Sequence, residues 1–209
     1  MDFPVINRPL IIHLFAASLC LAASQAGADY DAGLEAYMRL YDYRRAYREF
    51  REEGLHGHRE AQFYLGEICE GGVGRPVDYQ EAFRWYLESA RQGYGPAQLR
   101  LATLYFRGRG VKRDLSKAFE WQKKAAEQGQ VIAQYRLGHY YAQGVGVRAD
   151  PVLAYMWWTI AASWGDPDAL QEREKLARNM SALQIDRARA LARQHEMSFQ
   201  TGRTDSRRE

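Results

Sequence analysis

Apolar residues recur along this chain at the spacing of one face of a helix. The segment after residue 96 shows this most simply, with apolar side chains at Ala97, Leu101, Leu104 and Tyr105. Spacing of i, i+4, i+7 and i+8 predicts an amphipathic helix, called helix A below. A Gly-x-Gly follows it. Because glycine adopts the left-handed backbone of a helix C-cap, this pair predicts a helix end and a tight turn.

A second helix, helix B, is predicted after each Gly-x-Gly. An aspartate precedes it, and its carboxylate can accept hydrogen bonds from the backbone N–H groups of the first turn. Asp78 with Glu81 fits a capping box, and Asp150 precedes Pro151, which suits a first helical position. The inward face of helix B is expected to carry Ala82, Trp85, Tyr86, Ser89 and Ala90.

The helix pair repeats with a period of 36 residues. Ala61, Ala97 and Ala133 open three successive copies of helix A. The same register aligns tryptophans, capping aspartates and closing glycines at Trp85, Trp121 and Trp157, at Asp78, Asp114 and Asp150, and at Gly93, Gly129 and Gly165. One helix pair cannot bury its apolar face alone, so the pairs must stack, and the chain is predicted to be a repeat array.

The repeat consensus resembles the Sel1-like repeat, a relative of the tetratricopeptide repeat. It reads A-Q-x-x-L-G-x-x-Y-x-x-G-x-G-V-x-x-D-x-x-x-A-x-x-W-x-x-x-A-A-x-x-G and covers residues 61–168, with weaker matches at 42–60 and 169–195. Among its departures, Ala102 replaces a glycine and Cys69 a tyrosine. The resemblance implies an all-α fold, a right-handed α-solenoid of stacked antiparallel helix pairs, used mostly as an adaptor in protein assembly or signalling.

The domain organisation follows from this register. Ser181 with Gln184 is expected to cap a last helix that ends near His195, and the polar, basic residues after it predict a frayed tail. The predicted segments are a signal peptide (1–28), a degenerate N-terminal capping repeat (29–60), three repeats (61–96, 97–132 and 133–168), C-terminal capping helices (169–195) and a disordered tail (196–209).

The first 28 residues have the pattern of a secretory signal peptide. Their apolar run, Leu10 to Ala23, is fourteen residues long, shorter than the roughly 20 of a membrane-spanning helix. Ala26 and Ala28 form an A-x-A cleavage site that would leave Asp29 as the new N-terminus. An uncleaved anchor fits less well. We therefore expect a periplasmic or secreted protein that does not span a membrane once the signal is removed.

The charge of the chain limits the classes of partner that it can bind, and its cysteine content limits the role of disulfide bonds in its stability. The chain has 29 basic and 26 acidic residues, a net charge of +3. Nucleic-acid binding is not expected, because it needs a concentrated basic face. Signal cleavage leaves Cys69 as the single cysteine, which excludes an intrachain disulfide framework. Cys69 shares its register with Tyr105 and Tyr141, which predicts a buried thiol; an intermolecular bridge is the alternative.

No pattern predicts a catalytic, cofactor or metal site. The Gly-x-Gly pairs lack the Lys-Ser/Thr of a phosphate loop. His56 and His58, near Glu60, point in different directions and are too few for a metal site, so they are read as solvated turn residues. No Ser-His-Asp or Ser-x-x-Lys arrangement marks acyl transfer. The chain is therefore predicted to be non-enzymatic.

Two alternatives to a general adaptor stay open. One cysteine-rich branch of the Sel1-like family is linked to β-lactam binding and hydrolysis, with a pair of cysteines in each repeat. This chain lacks those pairs, so an envelope enzyme acting on β-lactams or peptidoglycan is the alternative from another class. The other alternative is a scaffold of an envelope or polysaccharide-export complex.

The aromatic residues have two interpretations. The helix-B tryptophans share a face with alanines, so a core role is favoured over carbohydrate binding. Trp158 and Trp164 are less constrained by the repeat, and one of them is expected at the surface.

A partner-binding row is predicted on helix A. Repeat positions 4, 7 and 11 lie together, away from the apolar face, and in stacked helical pairs of this kind the A helices line the concave side. The row comprises Tyr64, Glu67 and Gly71; Arg100, Thr103 and Arg107; and Arg136, His139 and Gln143. Its composition suits a protein or peptide partner that is acidic or extended. The A–B loops add an edge of Arg75, Arg109, Lys112, Arg113 and Arg148. An ordinary solvated face is the alternative.

Overall fold

The computed structural model describes residues 29–39 and 41–205, and side chains as far as residue 200. Within these ranges all regular structure is helical, and the all-α fold is confirmed. The predicted signal peptide lies outside the described residues. The helices are α1 (29–38), α2 (Tyr43–Leu55), α3 (Arg59–Gly71), α4 (Tyr79–Arg91), α5 (Gly95–Arg107), α6 (Leu115–Glu127), α7 (Val131–Gln143), α8 (Pro151–Ser163), α9 (Pro167–Ala177) and α10 (Ala182–Asp205).

The chain divides into two compact units after Asp78. In the first, α2 packs against α3, and α1 contacts both through aromatic rings. In the second, each helix from α4 to α9 packs against the next, and α10 folds back onto α8. Helices α3, α5 and α7 are the predicted A helices, and α4, α6 and α8 the B helices. None of the helices within the described ranges has the length and apolar character needed to cross a membrane.

The Gly-x-Gly pairs end the A helices as predicted. Gly108 and Gly144 are C-caps with φ of 66° and 71°, in the left-handed region. The second glycine of each pair has another reason to be glycine. The Tyr79 carbonyl oxygen lies where a Cβ on Gly110 would be, and the Leu115 carbonyl does the same at Gly146. Each turn therefore packs directly against the start of the preceding B helix.

Asp114 and Asp150 cap their helices as predicted. Asp114 Oδ1 accepts a hydrogen bond from Lys117 N at 3.0 Å, and Asp150 Oδ1 accepts from two backbone N–H groups at 2.9 and 3.1 Å. Ser181 and Gln184 cap α10 reciprocally, each side chain accepting from the other's backbone N–H. Local side-chain chemistry therefore sets where these helices begin.

The tryptophans of helix B differ from the prediction. Trp157 is buried, whereas Trp85 and Trp121 are only half-buried. Their polar contacts hold them at the surface: Trp85 Nε1 donates to Glu81 at 3.3 Å, and Lys124 Nζ lies 4.3 Å from the centre of the Trp121 ring. In their place the next residue along the helix, Tyr86 or Gln122, is buried, whereas in the third repeat Trp157 and Trp158 are both buried.

The expected tail was wrong for residues 196–205, because α10 continues to Asp205. Two contacts explain why the helix does not stop near His195. The Phe199 ring fills the space that a Cβ on Gly129 would occupy. Glu196 Oε1 accepts a hydrogen bond from Ser163 Oγ at 2.8 Å. Residues 206–209 lie outside the described residues.

Candidate partner-binding surface

In the first unit, the chain's own first helix contacts two of the three residues of the predicted row. The Tyr37 ring of α1 lies 5.2 Å from that of Tyr64, and its hydroxyl donates to Glu67 Oε2 at 3.5 Å. Tyr64 also stacks on Phe50, with ring centres 5.0 Å apart. Burial, together with the Glu67 carboxylate, raises the pKa of Tyr37 from 10.0 to about 12. The phenol therefore stays protonated and remains a hydrogen-bond donor at neutral pH.

In the second unit, three residues of the row meet in one pocket. Thr103 and Arg107 of α5 and Arg136 of α7 line it, with a volume of about 240 Å3. Thr103 Oγ1 donates to the Leu99 carbonyl at 3.1 Å, which fixes its rotamer. Both arginines are exposed. Their long side chains can therefore bring the guanidinium groups to a ligand at the mouth of the pocket, with no movement of the helix backbone.

Two aromatic rings and a buried amide complete this pocket. Phe106 and Tyr140 line it with ring centres 6.1 Å apart, and Gln122 of α6 joins them. Gln122 Nε2 is held by the Ala133 carbonyl at 3.0 Å. Burial raises the pKa of Tyr140, and the positive charge of Arg136 opposes that shift. The site thus combines two cations, a protonated phenol and apolar ring surface; we call it the α5–α7 pocket.

These three additional residues were missed by the sequence analysis. Tyr140 occupies repeat position 8, which Leu104 fills in the preceding repeat and which was assigned to the core. Leu104 is fully buried, but the larger and polar Tyr140 is half-buried and reaches the pocket. In the sequence, the replacement of an aliphatic residue by tyrosine at this core position could have indicated that residue 140 reaches the surface.

The other residues of the row do not line the α5–α7 pocket. Arg100 and Gln143 are exposed, as is Gly71 in the first unit. His139 is half-buried, with its ring against those of Tyr135 at 4.7 Å and Trp158 at 5.1 Å. Burial lowers the pKa of His139, so the imidazole is neutral at pH 7. In the structure the His139 side chain packs against neighbouring rings. The predicted row therefore does not form one continuous binding surface.

Three arginines of the predicted loop edge are engaged by aromatic rings. Their guanidinium carbons lie 4.4 to 5.8 Å from ring centres. The pairs are Arg75 over Tyr47, Arg109 over Tyr79 and Arg113 over Phe106. Arg113 Nε also donates to the Phe106 carbonyl at 3.1 Å. These contacts fasten the A–B loops to their own units. Lys112 and Arg148 are exposed, as are Arg109 and Arg113.

A basic pocket of about 460 Å3 lies on the first unit. It is formed where α2 meets the A–B loop and includes Arg44, Arg48 and Arg75 beside Tyr43 and Tyr47. Arg44 Nε donates to the Gly74 carbonyl at 3.2 Å, so part of its cationic surface supports the loop.

The residues considered for metal or thiol chemistry have structural roles. Within residues 29–39 and 41–205, no group of three His, Cys, Asp or Glu side chains is placed to hold a metal ion. His58 caps α3 by accepting from Ala61 N at 3.3 Å, and its ring stacks 4.4 Å from Tyr30. It is therefore not the solvated turn residue that was expected. Cys69 is fully buried, as predicted.

Comparison with known proteins supports the repeat assignment. The Sel1 repeat model matches residues 59–94, 95–130 and 131–166, just over half of the chain, and places each start two residues before the predicted one. A Sel1 repeat protein from Oxalobacter formigenes is 36% identical, with a TM-score of 0.57 over 61% of this chain and 96% of that one. A protective antigen of uropathogenic Escherichia coli strains, c5321, which displays an SLR fold, is 26% identical, with a TM-score of 0.51 over 85% of this chain and 47% of that one. No curated protein matches significantly. On the three matched repeats and the helix pairs that they form, this chain belongs to the Sel1 repeat family.

Proposed function

We propose that this chain is an exported adaptor that binds a protein or peptide partner through the α5–α7 pocket. Sel1 repeats generally mediate protein–protein interactions, which supports a protein as the partner. The geometry of the α5–α7 pocket supports it as the contact surface. Two exposed arginines from neighbouring A helices converge there on two aromatic rings.

The chemistry of this pocket suits an acidic side chain beside an apolar one. A guanidinium donates two parallel hydrogen bonds to a carboxylate, and Arg107 and Arg136 can approach it from two helices. Phe106 and Tyr140 offer ring surface for an apolar neighbour, and aromatic and arginine residues are the usual centres of binding energy in interfaces. An acidic peptide with an adjacent hydrophobic residue is therefore the partner that we propose.

The first unit supplies an internal precedent for such binding. There α1 lies against helix A, and Tyr37 contacts repeat positions 4 and 7 at Tyr64 and Glu67. Helix α1 also packs closely against α2, where the Phe50 ring leaves no room for a Cβ on Gly33. Since the helix-A row accepts a helix of this chain there, we infer that the corresponding row of the second unit accepts a segment of a partner.

The test is affinity capture with two matched charge reversals. The purified chain is used to capture partners from envelope extract, and captured proteins are identified by mass spectrometry. The variant Arg107→Glu/Arg136→Glu reverses the pocket, and Lys112→Glu/Arg148→Glu makes the same charge change at the loop edge. We expect the first variant to lose the partner at least tenfold and the second to retain it. Equal capture by the pocket variant would overturn the proposal.

We also propose that the chain acts outside the cytoplasm, on the support of the apolar run and A-x-A pattern before Asp29. Intact mass measurement of the expressed protein tests this. A mature chain that begins at Asp29 in a periplasmic or secreted fraction is the expected result. A chain that keeps its first 28 residues in the cytosol would contradict it.

A further inference from the structure

A second pocket, separate from the α5–α7 pocket, lies where α10 crosses the ends of α7 and α8. It has a volume of about 200 Å3. Its polar and aromatic lining comprises Gln134, Ser163, Trp164, His195, Glu196, Phe199 and Gln200. Pockets that bury drug-sized ligands usually measure about 300–1,000 Å3, so this one has the size for a side-chain-sized group. We call it the α10 pocket.

A buried acceptor in this pocket lacks a hydrogen-bond donor. Gln134 is 2% exposed, and its Nε2 donates to the Ala126 carbonyl at 3.3 Å. Its Oε1 is buried with no hydrogen-bond partner in the part of the chain that the structure describes. Buried polar atoms are almost always paired, with protein or with water, so an unpaired acceptor on a residue that lines a pocket marks a place for a donor from outside the chain.

The preceding repeat shows which residue supplies the equivalent donor. There Gln98 Nε2 donates to the Ala90 carbonyl at 3.3 Å, as Gln134 does in its own repeat, and Gln98 Oε1 accepts from Gln128 Nε2 at 3.2 Å. The residue 36 positions after Gln128 is Trp164. Both are C-caps of a B helix with nearly the same backbone, φ −82° and ψ 5° against φ −91° and ψ 9°. The third repeat has thus exchanged the internal donor for an indole that is 57% exposed and lines the pocket.

The remaining lining favours a positively charged donor. Glu196 contributes a carboxylate, and its Oε1 lies 2.8 Å from Ser163 Oγ, whose single hydroxyl proton it shares with the Ile160 carbonyl at 2.7 Å. Burial lowers the pKa of His195, and the negative charges of Glu127 and Glu196 oppose this shift only in part. His195 therefore adds no positive charge at pH 7. The rings of Trp164 and Phe199 offer faces to which an ammonium and its methylene groups are attracted.

We propose that the α10 pocket binds an alkylammonium group, supplied by a small free amine or by the lysine side chain of a peptide. The ammonium has three donors. One satisfies Gln134 Oε1 and another pairs with the Glu196 carboxylate, while the methylene groups lie against Trp164 and Phe199. This site is independent of the α5–α7 pocket, and the two proposals stand or fall separately.

The binding test uses n-butylammonium as the probe, with butanol and butyrate as neutral and anionic controls. The purified protein is titrated and followed by NMR on the indole N–H of Trp164, assigned by its absence in Trp164→Phe. We expect saturable shifts with n-butylammonium and at least tenfold weaker binding of butanol and butyrate. Equal binding of the three probes, or no binding of n-butylammonium, would overturn the proposal.

Two variants test the assigned roles. Glu196→Gln keeps the hydrogen bond from Ser163 and removes the charge, so n-butylammonium should bind at least tenfold more weakly. Trp164→Gln restores the internal donor of the preceding repeat, so it should abolish binding and raise the melting temperature. Because this variant lacks the reporter indole, its binding of n-butylammonium is measured by isothermal titration calorimetry alongside the wild type. Gln128→Ala, outside the pocket, should leave the affinity unchanged. Unchanged affinity in Glu196→Gln would contradict the proposal even if Trp164→Gln did not fold.

A further titration identifies the source of the ammonium group. Acetyl-Gly-Lys-Gly-amide is compared with free n-butylammonium and with the norleucine peptide, which lacks the charge. Tighter binding of the lysine peptide assigns the pocket to a lysine side chain, and tighter binding of n-butylammonium assigns it to a small amine. Equal binding of the norleucine and lysine peptides would contradict recognition of an ammonium.

Discussion

The indole N–H of Trp158 donates to the backbone carbonyl of Tyr135 at 3.1 Å, and the same indole fills the space that a Cβ on Gly138 would need. The preceding repeat has a different pair at these positions. There Ala102 replaces the glycine, and the smaller Gln122 replaces the tryptophan. The glycine-to-alanine departure in the repeat is therefore explained by the size of the side chain that faces it.

We predict that Gly138→Ala destabilises the protein by about 1–3 kcal/mol, because the new methyl group overlaps the Trp158 indole. Replacing a helical glycine by alanine without such a clash stabilises by up to about 1 kcal/mol. Gly71→Ala is the matched control, since the nearest atom to its Cβ would be Val73 Cγ1 at 3.8 Å. Urea unfolding measures both. Stabilisation by Gly138→Ala would contradict this prediction and show that the Trp158 indole moves to make room for the methyl group.

The fold could be predicted from the sequence because its determinants are local and repeated. Glycine turns such as Gly108 and caps such as Asp150 act within a few residues of their position, so a 36-residue register exposes them. The end of α10 could not be predicted in this way. It depends on the contact of Phe199 with Gly129, which are 70 residues apart and have no counterpart in the repeat.

The candidate site was predicted only in part for a related reason. Helical spacing correctly places Thr103, Arg107 and Arg136 near one another, since they lie on equivalent faces of neighbouring A helices. It does not show which positions are covered by other elements. Tyr64 contacts α1, and His139 packs between rings, because the residues opposite them are large and aromatic. Such contacts are particular to one repeat.

Asp150 should contribute more to helix stability than the shared repeat position alone suggests. Its Oδ1 accepts from both Val152 N and Leu153 N, and Pro151 already presets the first turn of α8. Asp150→Ala is expected to cost about 0.5–2 kcal/mol, and Asp150→Asn a small fraction of that, because the amide oxygen can still accept. Thermal unfolding of both variants measures the difference. Equal losses would assign the effect to charge.

Stability should fall as the pH is lowered through the range in which unfolded histidine is protonated. Burial lowers the pKa of His139 and of His195 below 6.5 in the folded protein. The unfolded chain therefore binds more protons just below pH 6.5, and the free energy of unfolding decreases from there down to the folded pKa values. The nearby charges oppose burial in part: Glu172 raises the pKa of His139, and Glu127 and Glu196 raise that of His195.

The measurement is urea unfolding at intervals from pH 8 to pH 4, for the wild type and for His139→Gln/His195→Gln. The double variant should have a flatter profile between pH 6.5 and 5. A profile of the same slope would mean that other groups carry the pH dependence. The comparison is between slopes, so an overall loss of packing in the variant does not obscure it.

The contact between Phe199 and Gly129 can be isolated by a double-mutant cycle. Gly129 and Gly165 have similar left-handed backbones, φ 83° and 89°, so alanine carries a similar backbone strain at both. A Cβ on Gly165 meets nothing within 4 Å, whereas one on Gly129 overlaps the Phe199 ring. We therefore predict that Gly129→Ala is more destabilising than Gly165→Ala. The excess should be about 1–3 kcal/mol, a typical cost of overpacking.

If that excess arises from the ring, it should disappear in a Phe199→Ala background, where only the shared backbone strain remains. Melting temperatures of the four combinations of Gly129→Ala and Phe199→Ala give the coupling directly. Helix content measured by circular dichroism should also fall in Phe199→Ala, because the C-terminal turns of α10 lose their anchor. Purely additive losses would instead mean that residues beyond His195 do not hold α10 against the C-terminal end of α6.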